Sequence, residues 1–189
     1  MVLPIYVFGS DVLRAKAKEV DVENVDREAF GKFIDDMFET MKNAEGVGLA
    51  APQVGKDIKC VIVDGRDIAD SYHYLKDFFR VMINPVVLEE SEETSTYSEG
   101  CLSIPDINCD IIRPKKIKVE YYDREFVKHV EEFDDFAARM VQHELDHLNG
   151  VMFVDKAAPL RKKMISSKLH NISEGKVAAH YKIKLEKSK

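Results

Sequence analysis

The spacing of apolar positions changes several times along the chain, and each change predicts a different element. The first 25 residues show weak periodicity, with Gly9 and Asp11 suggesting a turn before "VLRAKAKEV". In "DREAFGKFIDDMFETMKNAEG" the apolar residues Phe30, Phe33, Ile34, Met37, Phe38 and Met41 recur at helical spacing. Asp26 is placed to cap that helix and Gly46 lies beyond its end, so a helix with a buried stripe is expected. The glycines and Pro52 of "VGLAAPQVG" interrupt both helix and strand, and "IKCVIV" at 58–63 then reads as a strand.

Residues 64–80 mix charges with Tyr72, Tyr74, Phe78 and Phe79, as a surface excursion lying back on the body does. "RVMINPVVLEE" reads as a strand broken at Pro85. "IIRPKKIKVEYYD" and "EFVKHVEEF" alternate as antiparallel strands joined near Asp123 and Arg124. From about Glu131 the period changes again. Phe133, Phe136, Ala137, Met140, Val141, Leu145 and Leu148 mark one side of a helix that "NG" at 149–150 would stop. A last amphipathic segment follows Pro159 and carries Met164, Ile165, Leu169 and Ile172 up to Gly175. Helix, several strands, helix, helix is an α+β order without a βαβ rhythm.

Composition narrows the class. With 189 residues, 45% hydrophobic and 33% charged, the chain is expected to form one domain over 1–189, with a basic helix and tail from about 160. A net charge of −6 argues against a general nucleic-acid binder, although the Lys/Arg-rich end could contact an acidic surface. No apolar run approaches the roughly 20 residues of a membrane span, and "MVLPIYVFGSD" does not read as a secretory signal. Three cysteines, Cys60, Cys101 and Cys109, make a poor disulfide framework, so a reducing cytoplasm is expected; the chain is further expected to be a monomer.

The chemistry is concentrated in "QHELDHLNG" at 142–150. His143 and His147 lie four apart on one helical face with Glu144 beside the first, which suits two metal ligands and a proton carrier. A third ligand is needed. The longer HExxHxxGxxH pattern would take it from position 153, which is a phenylalanine, and Glu174 sits at a helix end where solvation is the ordinary account. Cys101, in "SEGCLSIPD", is the better source, because a thiolate, two imidazoles and a water make an open four-coordinate site. Cys60 fits a buried strand, and Cys109 looks exposed on pattern. Two nitrogens and a sulfur suit zinc.

Three segments together resemble the peptide deformylases: "GVGLAAPQ" at 46–53, "EGCLS" at 99–103 and "QHELDH" at 142–147. "VFGSDVLRAKAKEV" also looks like the family's usual beginning, and the resemblance spans roughly residues 5–165. It implies a small α+β domain whose antiparallel sheets surround a central metal-binding helix. It further implies hydrolysis of the formyl group of N-formylmethionine on nascent peptides, with Fe²⁺ the usual metal and Zn²⁺, Ni²⁺ or Co²⁺ able to replace it. Cys101, His143 and His147 would hold the metal, whose bound water Glu144 would deprotonate. The Gln53 amide and the Leu102 N–H would donate to the developing oxyanion.

On the same resemblance Gly48 would offer main-chain groups to the substrate, while Val47, Phe136, Arg139 and Met140 would shape a methionine pocket. Arg139 departs from the apolar residue usual there; its stem is expected to line the pocket with its charged end reaching solvent. Asn108 stands where an arginine is often found. Glu99 and Arg113 match positions that pair and hold the cysteine loop. Two other readings stay open on sequence alone. One is a metallopeptidase cutting internal bonds. The other is a non-catalytic module whose metal is closed off by Cys109 or His129.

Overall fold

The structure, a computed structural model, describes all of residues 1–189. Helix α1 (Arg27–Asn43) begins where the Asp26 side chain accepts a hydrogen bond from Ala29 N at 3.1 Å, satisfying one of the orphan N–H groups of its first turn. Strands β2 (Gly48–Ala50), β3 (Cys60–Asp64), β4 (Phe79–Glu90), β7 (Lys116–Tyr122) and β8 (Lys128–Asp134) form one antiparallel sheet in the order β2-β3-β4-β7-β8. Strands β5 (Thr94–Cys101) and β6 (Ile104–Pro114) form a separate hairpin. Helices α2 (Asp135–Leu148) and α3 (Pro159–Ser173) follow. A short parallel pair, β1 (Ile5–Tyr6) and β9 (Ile183–Lys184), ties the two ends of the chain.

Around β3 the five-stranded sheet is covered on both faces. Val61 and Val63 of β3 pack with Val119, Phe133, Ala138, Val141 and Leu145, which places α2 on one side. Their alternates Cys60 and Ile62 pack with Phe30, Ile34, Met37 and Met41 of α1 on the other. Alternation within a fully buried strand therefore serves two cores. A third core joins Ile104, Ile107, Cys109 and Ile111 of β6 to Leu13, Phe153, Ile165 and Ile172. The helix α2 is thus wedged between the sheet and the hairpin, and the expected α+β class holds. No helix is long and apolar enough to cross a membrane.

Several local expectations need correction. Strand β4 is not broken at Pro85 but runs through it, with a register shift between Ile83 and Val86. The shift accommodates the missing proline N–H. Asn84 is left-handed there (φ 51°), and its side-chain amide bonds both the N–H and the carbonyl of Val20 at 2.8 Å. "IIRPKKIKVEYYD" is not one strand; it divides at Lys115, and its halves belong to different sheets. Phe133 lies on β8, and α2 starts only at Asp135, since an inward residue on a strand can look like the first of a helical stripe. Residues 64–80 do lie back on the body. Leu75 is fully buried, and the Tyr72 ring stacks on Phe136 at 4.5 Å.

Candidate metal centre

The α2 spacing sets His143 and His147 on one side, with ring centroids 5.3 Å apart. Cys101 ends β5 at a register irregularity and pairs with Ile104 across the tight Leu102–Ser103 turn. That turn brings its sulfur to the helix. Cys101 Sγ lies 3.4 Å from His147 Nε2, and the donor atoms of Cys101, His143 and His147 all lie within 4.8 Å of one another. The other proposed fourth ligands are elsewhere. Cys109 is buried in the β6 core rather than exposed, and His129 contacts Asp123 at 2.6 Å. Phe153, at the position of the longer motif's third histidine, packs against the His143 ring at 5.9 Å.

The second ring of contacts is built around one carboxylate. Glu99 Oε1 accepts from His143 Nδ1 at 2.8 Å, which leaves His143 Nε2 as the free donor for a metal. Arg113 grips the same carboxylate through Nε at 2.7 Å and Nη2 at 3.0 Å, so the expected Glu99–Arg113 pair is present. Burial opposes ionisation of Glu99, but hydrogen bonds from His143 and Arg113 hold it well below the usual carboxylate range.

Arg139 does not reach solvent. It is 2% exposed, and its Nη1 meets Glu99 Oε2 at 2.6 Å and the Ile111 carbonyl at 2.9 Å. Its Nη2 reaches Ser95 O at 2.8 Å, and the guanidinium lies over the Tyr97 ring. A buried anion beside the helix, and not the pocket mouth, decides where the charge goes. Asp146, which sequence reasoning passed over, completes the balance by accepting from Arg113 Nη1 at 2.7 Å. Its signal was available, because it lies three residues after His143 on the same helix.

Burial pushes the Glu144 carboxyl up to about 7, and its Oε2 is buried without a hydrogen-bond partner. The Gln53 side chain, 1% exposed, receives Ala50 N on its oxygen at 2.9 Å. Its Nε2 donates to Cys101 Sγ at 3.4 Å and Ser103 Oγ at 3.1 Å. Glu144, Gln53 and Cys101 border a cavity of about 630 Å³ that is also lined by Val47, Gly48, Leu102, Phe136, Arg139 and Met140. Every residue assigned to the site from the sequence except His147 lines this cavity, and His147 lies behind it at 1% exposed. Two borderline nitrogens, one soft sulfur, a tautomer fixed by Glu99 and an unpartnered acid oxygen fit a divalent transition metal.

Sequence reasoning missed Ala178, Ala179, His180 and Tyr181, which line the cavity from the end of the chain. Nothing local in "KVAAHYKIKL" marks them, because their place depends on the β1–β9 pairing.

Comparison with known proteins agrees with this geometry. A family model described as polypeptide deformylase matches residues 2–163. A peptide deformylase of Christiangramia forsetii is 42% identical over all of this chain and 98% of its own, and one of Flavobacterium psychrophilum is 44% identical over 98% and 97%. The crystal structure of the Thermotoga maritima peptide deformylase superposes with a TM-score of 0.74 at 41% identity, covering 84% of this chain and 99% of that one. Family model, relatives and the Cys101–His143–His147 cluster agree, and the chain belongs to the peptide deformylase family of hydrolases that remove N-formyl groups.

Proposed function

We propose that this protein removes the formyl group from N-formylmethionyl nascent peptides, as a monomer in the cytoplasm, with Fe²⁺ as its physiological metal. The observation that carries the reading is the convergence of three donor atoms within 4.8 Å beside a buried glutamate with an unpartnered oxygen. When bound at Cys101, His143 and His147, the cation supplies Lewis acidity and a nucleophile at neutral pH. Glu144 takes the proton as the formyl carbon is attacked, and returns one to the departing amine; a carboxyl held near 7 suits both transfers. The Leu102 N–H donates to the formyl oxygen as its negative charge develops, joined by the Gln53 amide, which releases Cys101 Sγ or Ser103 Oγ to do so.

The methionine slot is assigned to Val47, Phe136, Met140 and the stem of Arg139, all on the cavity wall. Because the Arg139 head is committed to Glu99, its contribution there is apolar. Gly48 lies on β2, the outermost strand of its sheet, so a peptide backbone can run beside it irrespective of side chains. Selection at the first side chain is therefore expected, at roughly 1–3 kcal/mol per methylene, with little beyond it. Equal kcat/KM for formyl-Met and formyl-Ala peptides would overturn this pocket.

Iron is favoured over zinc, nickel or cobalt on family resemblance, and its test is anaerobic purification followed by separate reconstitution. The ferrous form should release formate fastest and lose activity in air, since both the metal and the Cys101 thiolate oxidise. Activity confined to an air-stable zinc form would defeat it. Unpaired cysteines support a reducing compartment. The exposed Lys162, Lys163 and Lys168 of α3 support a transient ribosome contact, which co-sedimentation at low and high salt would test.

A further inference from the structure

The family match ends at residue 163, yet residues 178–181 border the same cavity as Cys101, His143 and Glu144. This last segment is anchored firmly on its far side. Ile5 N bonds Lys182 O at 2.9 Å, and Val7 N bonds Lys184 O at 2.9 Å. Ile183 and Leu185 pack on the β6 core, and Asp11 N bonds Glu186 O at 3.0 Å. Next to that anchor stands Tyr181, half-buried, whose hydroxyl donates to the Leu102 carbonyl at 2.7 Å.

That bond falls on a turn already held at its other residues. Gln53 donates to the Cys101 sulfur and to Ser103 Oγ, and Phe8 N bonds Ser103 O at 2.8 Å. Leu102 lies between them, and its carbonyl is held by Tyr181. The Leu102 carbonyl belongs to the middle peptide of this two-residue turn, the one that can flip between turn types while Cys101 and Ile104 stay paired, and the Tyr181 bond holds it in one orientation. Burial pushes the Tyr181 hydroxyl up to about 12, so it remains a donor wherever the enzyme works.

We propose that Tyr181 is a positioning residue for deformylation: by holding the Leu102 carbonyl it keeps the β5–β6 turn in the pose that aims Leu102 N–H at the reacting oxygen. The C-terminal segment thereby becomes part of the catalytic architecture and closes one side of the peptide groove. This rests on the oxyanion role given to Leu102 above. A whole oxyanion donor is worth about 10²–10³ in kcat, and a donor that is present but loosely aimed should cost a part of that.

The test is Tyr181→Phe in the full chain, which removes one oxygen and keeps the ring. Parent and variant are loaded with the same metal and assayed with formyl-Met-Ala-Ser, alongside metal content and melting temperature. Expected is a loss of about 3- to 30-fold in kcat with KM within about twofold, and with metal content and melting unchanged. A kcat within about 1.5-fold of the parent, or a loss carried by KM alone, would overturn the positioning role. So would a fall in metal content or melting temperature that accounts for the lost rate, since that is a structural effect. An active parent with an equally active variant removes only the Tyr181 assignment. A parent releasing no formate removes the function as well.

Discussion

Gly48 and Glu144 occupy one space. A methyl group on Gly48 would stand 2.6 Å from Glu144 Oε1 and 2.9 Å from its Cδ, so the absence of a side chain on β2 is what lets the acid sit beside the metal ligands. Gly48→Ala is expected to displace the carboxylate while leaving Cys101, His143 and His147 in place. Formate release should fall by about 10²-fold or more with metal content retained. A variant with parental turnover would show that Glu144 has room to spare.

The carboxylate of Glu99 faces two buried guanidiniums and one partly buried imidazole. Glu99→Gln leaves Arg113 and Arg139 without their shared anion, and should cost about 3–5 kcal/mol in denaturant unfolding. It should also weaken metal binding by about 10- to 100-fold, because the acceptor at His143 Nδ1 loses the negative charge that makes the imidazole a stronger ligand. Arg139→Met leaves Glu99 still paired with Arg113 and should cost less, about 1–3 kcal/mol. The opposite ranking would mean that Arg139 is the stronger anchor.

Glu144 predicts a pH dependence with a definite sign. Burial raises its carboxyl to about 7, and the ionised form is the one that accepts a proton. On the acid side kcat/KM should therefore rise with pH. A cation at the neighbouring ligands favours the carboxylate, so the midpoint is expected at or below about 7. A profile that climbs as pH falls through that region would exclude Glu144 as the base.

Cys101→Ala removes the ligand that the hairpin brings to the helix and leaves two imidazoles. Metal analysis after dialysis should show occupancy falling to a small fraction of the parent's, with the fold retained because Cys101 is only half-buried. Full occupancy after dialysis would remove the thiolate from the ligand set.

What the sequence revealed depended on how local each signal was. The pair His143 and His147 declares itself within one helical turn, and α1 announces itself by stripe and cap; both were legible. Cys101 could be chosen only by eliminating Phe153 and Glu174, since its approach to the helix needs the β5–β6 turn. The destination of Arg139 was missed because it is set by Glu99, forty residues earlier in the chain. Strand β5 carries little apolar pattern, as "TSTYSEG" lies largely at the surface, and was not anticipated. Tyr181 was beyond reach, because its bond to Leu102 spans 79 residues.

If Glu144 moves protons at a centre held by Cys101, His143 and His147, its removal should stop turnover and leave the metal in place. Formate release from formyl-Met-Ala-Ser by Glu144→Ala, measured at the same metal occupancy as the parent, tests this most directly. The variant should keep its metal and lose about 10²- to 10⁴-fold in kcat. Parental turnover by a fully loaded Glu144→Ala would contradict the account.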